Sequence, residues 1–212
     1  MRTSNGLVLA SLNAGKLAEF QALFSAHKIS LSAFESFVRN ASALKHVEDM
    51  APAATFYENA FRKCHAAFQA CKLPTLADDS GLEVSGLNGA PGVHCAHFAK
   101  PTARESQDAA NRKKVLDSLK NGDRKARFRC VLVMMVEGVV IRAEGVCEGR
   151  IAEKEIGQHG FGYDSIFIPD AGGGKTFAEL SVEEKNKISH RALAVNELVR
   201  LMQEREIQLV RP

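Results

Sequence analysis

The stretch ARFRCVLVMMVEGVVIRAEGVCEGRIAEKEI, residues 126–156, decides the fold of this chain. It is rich in β-branched and other apolar residues, a composition typical of strands and too apolar for a surface helix. Glu137 and Gly138 interrupt it near the centre, where a turn is expected. The stretch therefore predicts two long strands joined by a turn.

Shorter apolar patterns on both sides predict helices and further strands. Residues 6–11, GLVLAS, form a compact apolar run that predicts a buried strand. Leu17, Phe20, Leu23 and Phe24 then recur at helical spacing. Further strands are predicted at 28–35 and 73–77, the latter ending at the acid pair 78–79, and helices at 55–71, 106–119 and 181–204. This order predicts one mixed α/β domain over residues 1–212.

Composition and charge exclude several classes of protein. The 212 residues carry a formal net charge of +3, and no long block of Lys or Arg indicates a nucleic-acid partner. No apolar run reaches the roughly 18 residues of a membrane span, and the first apolar segment is too short for a secretory signal. Five cysteines without a CxxC pair are typical of reduced thiols in a cytosolic protein. We therefore expect a cytoplasmic protein without a membrane or nucleic-acid partner.

A candidate anion site lies between the first predicted strand and the first predicted helix. The residues there are SLNAGK, Ser11–Lys16. Free backbone N–H groups at the start of a helix attract anions, and Lys16 adds a point charge suited to phosphate. An ordinary strand-to-helix turn with a solvated lysine explains the pattern at least as well.

Two adjacent acids, Asp78 and Asp79, are candidates for metal binding or catalysis in ADDSG, residues 77–81. Neighbouring carboxylates repel each other unless a hard cation such as Mg²⁺ shares them. One of them can instead accept a proton from water. A turn or helix cap is an equally good interpretation. Glu48 or Asp49 in EDMAP offers a further carboxylate, although a polar loop explains that stretch better by itself.

A candidate site for a flat base lies further along the chain. In GFGYD, residues 160–164, Phe161 stands between glycines, where an aromatic ring can stack on a base. Lys185, His190 and Arg191 follow in EEKNKISHR. Lys and Arg only donate hydrogen bonds, so they favour ligand carbonyls over amino groups. Core packing of Phe161 and a solvated helix face are the simpler interpretations of each stretch by itself.

Six motifs in order resemble the inosine triphosphate pyrophosphatase family, the nonstandard purine nucleoside triphosphate pyrophosphatases. They are SLNAGK, TFYENA, ADDSGLEV, GAPG, FGYDSIF and EEKNKISHR, and they extend through nearly the whole chain. The resemblance implies an α/β fold with an elongated, twisted mixed sheet flanked by helices, and two lobes with a nucleotide cleft between them. It also implies a homodimer.

The resemblance further implies a reaction and a set of site residues. Family members use Mg²⁺ to cleave ITP, dITP and XTP between the α- and β-phosphates, which removes deaminated purines from the nucleotide pool. Asp79 is implied as the base that activates water and as a metal ligand together with Glu48. The residues implied to bind the nucleoside triphosphate are Ser11, Leu12, Asn13, Ala14, Gly15, Lys16, Ser80, Phe161, Gly162, Tyr163, Asp164, Lys185, His190 and Arg191.

The sequence departs from the family pattern in three places. EDMAPAATF, residues 48–56, is two residues longer than usual, so the metal-binding acid maps to Glu48 or to Asp49. Cys95 and His97 stand where the bacterial pattern has Ser and Arg, and Ser165 stands where Pro is common.

These departures keep two alternatives open. One is a pyrophosphatase for another modified nucleotide, and the other is a nucleotide-binding regulator without catalysis. The intact Asp78, Asp79 and Lys16 argue against the regulator.

Overall fold

A computed structural model describes residues 6–38, 42, 46, 52–103, 105–119, 122–207 and 209. The strands are β1 (Gly6–Leu9), β2 (Ser30–Ala33), β3 (Thr75–Val84), β4 (Lys125–Val136), β5 (Val139–Ile151) and β6 (Phe167–Pro169). The α-helices whose bounds lie within the described residues are α1 (Ala14–Ala26), α2 (Phe56–Cys71), α3 (Gln107–Ser118), α4 (Val182–Ile188) and α5 (His190–Glu204).

The strands form one mixed sheet in the order β2-β1-β3-β4-β5-β6. Strand β1 is parallel to both β2 and β3, with Leu7 opposite Leu31 and Leu9 opposite Leu76. Strands β5 and β6 are antiparallel. A mixed sheet flanked by helices confirms the predicted α/β class.

The two long strands predicted from residues 126–156 are confirmed as β4 and β5. Only Glu137 and Gly138 separate them, and a connection that short joins antiparallel neighbours. Gly138 has a φ of 73°, a left-handed conformation that a glycine adopts without strain. The helix predicted at 55–71 is also confirmed, with Thr55 as its N-cap and Glu58 completing a capping box.

Three predicted boundaries are wrong. Strand β5 ends at Ile151, whereas the stretch that predicts it extends to residue 156. The strand predicted at 73–77 continues as β3 to Val84, so the acid pair lies inside a strand. The helix predicted at 181–204 is divided at Ser189, whose backbone is extended and whose hydroxyl accepts a hydrogen bond from Ala192 N. Ser189 thus caps a second helix, a local signal that periodicity does not report.

The chain divides into two compact units, and each comprises separate stretches of sequence. The first unit comprises Met1–Asp79, Cys130–Gly145 and Ala194–Pro212, and the second comprises Ser80–Arg129 and Val146–Leu193. The core of the first includes Phe34, Cys64 and Val133. The core of the second includes Phe128 and Phe167, whose rings meet edge to face at 4.7 Å. That the whole chain acts as a single domain stays a prediction.

No helix among the described residues is both long and apolar enough to cross a membrane.

Two buried thiols provide a test of these cores. Burial raises the pKa of Cys64, in the first unit, and of Cys147, in the second, to about 12 from an ordinary value of 9.0. At pH 9 an ordinary thiol is about half ionised, whereas these would be about one part in a thousand thiolate. We therefore expect iodoacetamide at pH 9 to spare both residues in the native protein and to modify both in urea, as read by mass spectrometry. Equal labelling of native and unfolded protein would contradict the burial.

Candidate active site

The acid pair lies in β3, where neighbouring side chains point to opposite faces of the sheet. The Asp78 side chain is fully buried, whereas 19% of the Asp79 side chain is exposed. The alternation of the strand therefore gives two chemically identical neighbours different surroundings. Asp79 is the member of the pair that solvent reaches.

Lys16 neutralises the buried member of the pair. Its Nζ lies 2.7 Å from Asp78 Oδ2, although the two residues are 62 positions apart in sequence. Lys16 occupies the first turn of α1, and its backbone N–H donates to Asn13 Oδ1 at 3.0 Å. Asn13 is thus the N-cap, and its own N–H donates to Ser11 Oγ at 3.2 Å. These hydrogen bonds hold the backbone of the candidate anion site, residues 11–16, in one conformation. The point from which the Lys16 side chain extends is therefore fixed.

Two residues of α2 hold the exposed member of the pair. Asn59 Nδ2 donates to Asp79 Oδ2 at 3.1 Å, and Lys63 Nζ lies 3.3 Å from Asp79 Oδ1. Lys63 also donates to the backbone carbonyl of Asp78. The sequence analysis missed both residues. Their spacing of four positions on one helix face, beside the apolar stripe of α2, was the signal that could have found them.

The Asp79 carboxylate fits one ligand position of a magnesium ion. Mg²⁺ prefers oxygen ligands and is usually bound through one or two carboxylates together with phosphates of the substrate. Asp79 supplies accessible carboxylate oxygens, whereas Asp78 is buried against Lys16. Within the described ranges, no cluster of three or more His, Cys, Asp or Glu side chains forms a metal site. Glu48 and Asp49, the candidates for a second ligand, lie outside the described residues.

In the second unit, Asp164 organises residues 160–164, which we call the Phe161 loop. Its Oδ2 accepts hydrogen bonds from Phe161 N at 3.0 Å and from Lys185 Nζ at 2.7 Å. Gly160 has a φ of 77°, and a Cβ added there would lie 2.0 Å from Asp164 Oδ2. Only glycine allows this close approach. Asp164 therefore acts as a buried anchor for the loop and for Lys185.

Two cations lie over the half-buried Phe161 ring. Lys185 Nζ is 5.4 Å and Arg191 Cζ is 5.0 Å from its centroid, which is within range of cation–π attraction. These contacts bring three predicted base-site residues together. The buried His190 ring instead stacks on Phe128 with centroids 4.5 Å apart. That His190 contacts the base stays a prediction.

Ser80, Cys95 and Tyr163 are connected through backbone carbonyls. Cys95 Sγ donates to the Ser80 carbonyl at 3.0 Å, and Tyr163 Oη donates to the Cys95 carbonyl at 2.7 Å. Burial raises the pKa of Tyr163, so its hydroxyl remains a donor at physiological pH. Cys95 thus has a structural contact of its own, while the His97 side chain is exposed.

Comparisons with known proteins show which family the chain resembles. A sequence model of the Ham1 family matches residues 7–201. A dITP/XTP pyrophosphatase from Nitrosomonas europaea is 42% identical over an alignment of 215 positions, covering 98% of this chain and 99% of that protein. Another from Methylococcus capsulatus is 44% identical, covering 89% of this chain and 91% of that protein.

Solved structures agree with the sequence comparisons. The structure of a HAM1 protein from Coxiella burnetii matches with a TM-score of 0.77 and 38% identity, covering 94% of this chain and 98% of that one. The Staphylococcus aureus Ham1 protein matches with a TM-score of 0.74 and 37% identity, covering 95% and 99% respectively.

Replacing Lys16 tests the buried ion pair. Lys16→Met removes the cation facing the buried Asp78 carboxylate, and we expect the free energy of unfolding to fall by about 3 kcal/mol. Urea unfolding measures this loss. Adding Asp78→Asn to Lys16→Met should recover part of the stability, because the buried negative charge is then removed.

The exposed Lys113–Asp117 pair provides the matched control. Lys113→Met should leave the free energy of unfolding almost unchanged, as is usual for surface pairs. Equal losses for Lys16→Met and Lys113→Met would show that the buried pair has no special weight.

Proposed function

Because the chain belongs to the Ham1 family, we propose that it hydrolyses nonstandard purine nucleoside triphosphates, namely ITP, dITP and XTP, to the monophosphate and pyrophosphate. Relatives 41–44% identical to this chain are named dITP/XTP pyrophosphatases. The observation that carries the proposal is the accessible Asp79 carboxylate, which Asn59 and Lys63 hold on both oxygens. Such a reaction removes deaminated nucleotides before a polymerase uses them.

Asp79 is proposed as the general base. A carboxylate that is fixed in position and open to solvent can take a proton from a water molecule that attacks phosphorus. Asn59 and Lys63 restrict the rotation of the carboxylate, and an orientation fixed in advance lowers the entropic cost of reaching the transition state. Lys63, 3.3 Å from Asp79 Oδ1, also brings positive charge to the place where phosphate charge would collect.

Magnesium is proposed as the cofactor, with Asp79 and Glu48 as its protein ligands. A bound Mg²⁺ neutralises phosphate charge and polarises the phosphoryl oxygens. Asp79 has the ligand chemistry that this ion requires. Asp49 remains the alternative to Glu48, since both come from the same stretch of sequence.

The start of α1 is proposed to bind the triphosphate. The backbone N–H groups of Leu12, Ala14 and Gly15 lie at or beside the positive end of the helix dipole. Ser11 and Asn13 shape the turn, and Lys16 adds its ammonium group. Ser80 follows Asp79 in β3, and its hydroxyl is proposed to contact the substrate.

The Phe161 loop is proposed to bind the base and sugar, with Phe161 stacking on the purine and Gly162, Tyr163 and Asp164 completing the wall. Lys185 and Arg191 lie over the Phe161 ring and only donate hydrogen bonds, which suits the C6 carbonyl of hypoxanthine and xanthine. Adenine presents an amino donor there. An unpaired buried polar group costs about 1–3 kcal/mol, enough for roughly tenfold or greater discrimination.

The remaining expectations are a homodimer and a cytoplasmic location. The homodimer is proposed from family membership. The cytoplasmic location is proposed from family membership and from the reduced cysteines, since the nucleotides that such an enzyme acts on are in the cytoplasm. Among the described residues the five cysteines form no disulfide, which is compatible with a reducing compartment.

The variant Asp79→Asn tests the proposed base. The amide keeps the shape of the side chain but cannot accept the proton, so we expect release of pyrophosphate from dITP to fall by at least about a hundredfold. Urea unfolding should show a native-like transition. Substantial remaining turnover in a folded variant would rule out Asp79 as the base.

A substrate panel tests the proposed reaction. The protein is incubated with Mg²⁺ and each of dITP, XTP, dATP, dGTP and dUTP, and the released phosphate is identified. Pyrophosphate from dITP and XTP is the expected result. Pyrophosphate from dUTP instead would favour a pyrophosphatase for another modified nucleotide, orthophosphate would contradict the reaction type, and binding without release would favour a regulator.

A further inference from the structure

We propose that Asp108 and Arg112 on α3 are positioning residues. They hold the backbone N–H and C=O of Gly162 and thereby set the affinity of the Phe161 loop for the nucleobase. The inference rests on the proposed function, in which that loop binds the base. Neither residue belongs to the motifs that carry the family resemblance.

Both polar groups of Gly162 are bound by these two side chains. Gly162 N donates to Asp108 Oδ2 at 3.0 Å, and Arg112 Nη1 donates to the Gly162 carbonyl at 2.9 Å. Asp108 and Arg112 are four positions apart, so both lie on one face of α3. A donor and an acceptor are thus presented together to the N–H and C=O of one residue, which fixes its orientation as well as its place.

The Phe161 loop needs such a support at this residue. Gly162 has a φ of 61°, and a Cβ added to it would meet no atom of the described residues within 4 Å. On the side where a Cβ would point, the described part of the chain therefore provides no packing contact. The backbone N–H of Phe161 itself is held by Asp164, whose Oδ2 accepts a hydrogen bond from it. The hydrogen bonds of Asp108 and Arg112 with Gly162 anchor the backbone directly after Phe161.

Helix α3 is itself fixed against its surroundings in the second unit. The buried Asn111 receives a hydrogen bond from Ala99 N at 2.8 Å and donates to the carbonyls of Cys95 and Ala96. Tyr163 Oη donates to the same Cys95 carbonyl. A rigid helix can transmit a defined position to the loop, whereas a mobile one could not.

Arg112 has a second contact that must be separated from the first. Its Nε lies 2.9 Å from Glu155 Oε2, but 43% of the Glu155 side chain is exposed. Exposed ion pairs contribute little. The functional weight of Arg112 is therefore assigned to its hydrogen bond with Gly162. The variant Glu155→Gln removes the charge of the ion pair but keeps an amide oxygen that can still accept from Ser165 Oγ.

The test compares ligands that contain the base with one that lacks it. IMP and ITP carry the base, whereas inorganic tripolyphosphate carries only the phosphate charges. In Asp108→Ala/Arg112→Met, we expect the Kd for IMP and the KM for ITP to rise about tenfold, because two hydrogen bonds that hold the loop are lost. The kcat for ITP and the inhibition constant of tripolyphosphate should stay within about twofold of wild type.

Three further variants separate positioning from general damage. Asp108→Asn should restore most of the IMP affinity lost in Asp108→Ala, because its amide oxygen still accepts from Gly162 N. Lys113→Met, on the same helix and in an exposed pair with Asp117, should leave the binding of both ligands unaffected. Glu155→Gln should do the same. Urea unfolding of each variant confirms that the fold persists.

The outcomes distinguish this inference from the proposed function. A folded Asp108→Ala/Arg112→Met protein that binds IMP as wild type does would overturn the inference. Equal weakening of IMP and tripolyphosphate would also overturn it, because the effect would not be specific to the base. If wild type binds IMP but releases no pyrophosphate from ITP, the proposed function fails while the IMP comparison still decides the inference. If wild type does not bind IMP measurably, the KM for ITP decides the inference, and the release of pyrophosphate decides the proposed function.

Discussion

The repulsion between Asp78 and Asp79 is the constraint on which the candidate site depends. Two adjacent carboxylates inside a strand would oppose folding unless each were compensated separately. The alternation of β3 separates their environments, and Lys16 and Lys63 then bring a cation to each. These lysines come from the first turn of α1 and from α2, so the packing of both helices on the sheet is tied to the chemistry of the pair.

The two units contain different kinds of chemistry. Charged groups around β3 in the first unit suit phosphate, metal and proton transfer, whereas the second unit presents an aromatic ring under two cations. A nucleoside triphosphate has the same division, since its phosphates are anionic and its base is flat and polar only at its edges. This correspondence in chemistry, together with family membership, supports the proposed function.

Much of the fold was predictable because it depends on local patterns. Residues 126–156 predicted β4 and β5 from β-branched content and one Glu-Gly turn. The periodic stripe of α2 and its Thr55 cap were equally visible. The prediction failed where a local rule was overruled from a distance: acids normally end a strand, but lysines distant in sequence allow β3 to continue through them. Ser189 was missed for another reason, because a capping hydroxyl inside a periodic segment does not interrupt its apolar stripe.

The sequence by itself determined the α/β class, the order of the motifs and the residue types available for the reaction. It did not determine which acid of the pair is accessible, nor that Asn59 and Lys63 hold it, nor that Asp108 and Arg112 bind Gly162. Those relations join residues that lie between 16 and 62 positions apart. Only the tertiary structure decided them, because hydrogen bonds and ion pairs depend on distances of about 3 Å, and chain folding rather than sequence spacing sets those distances.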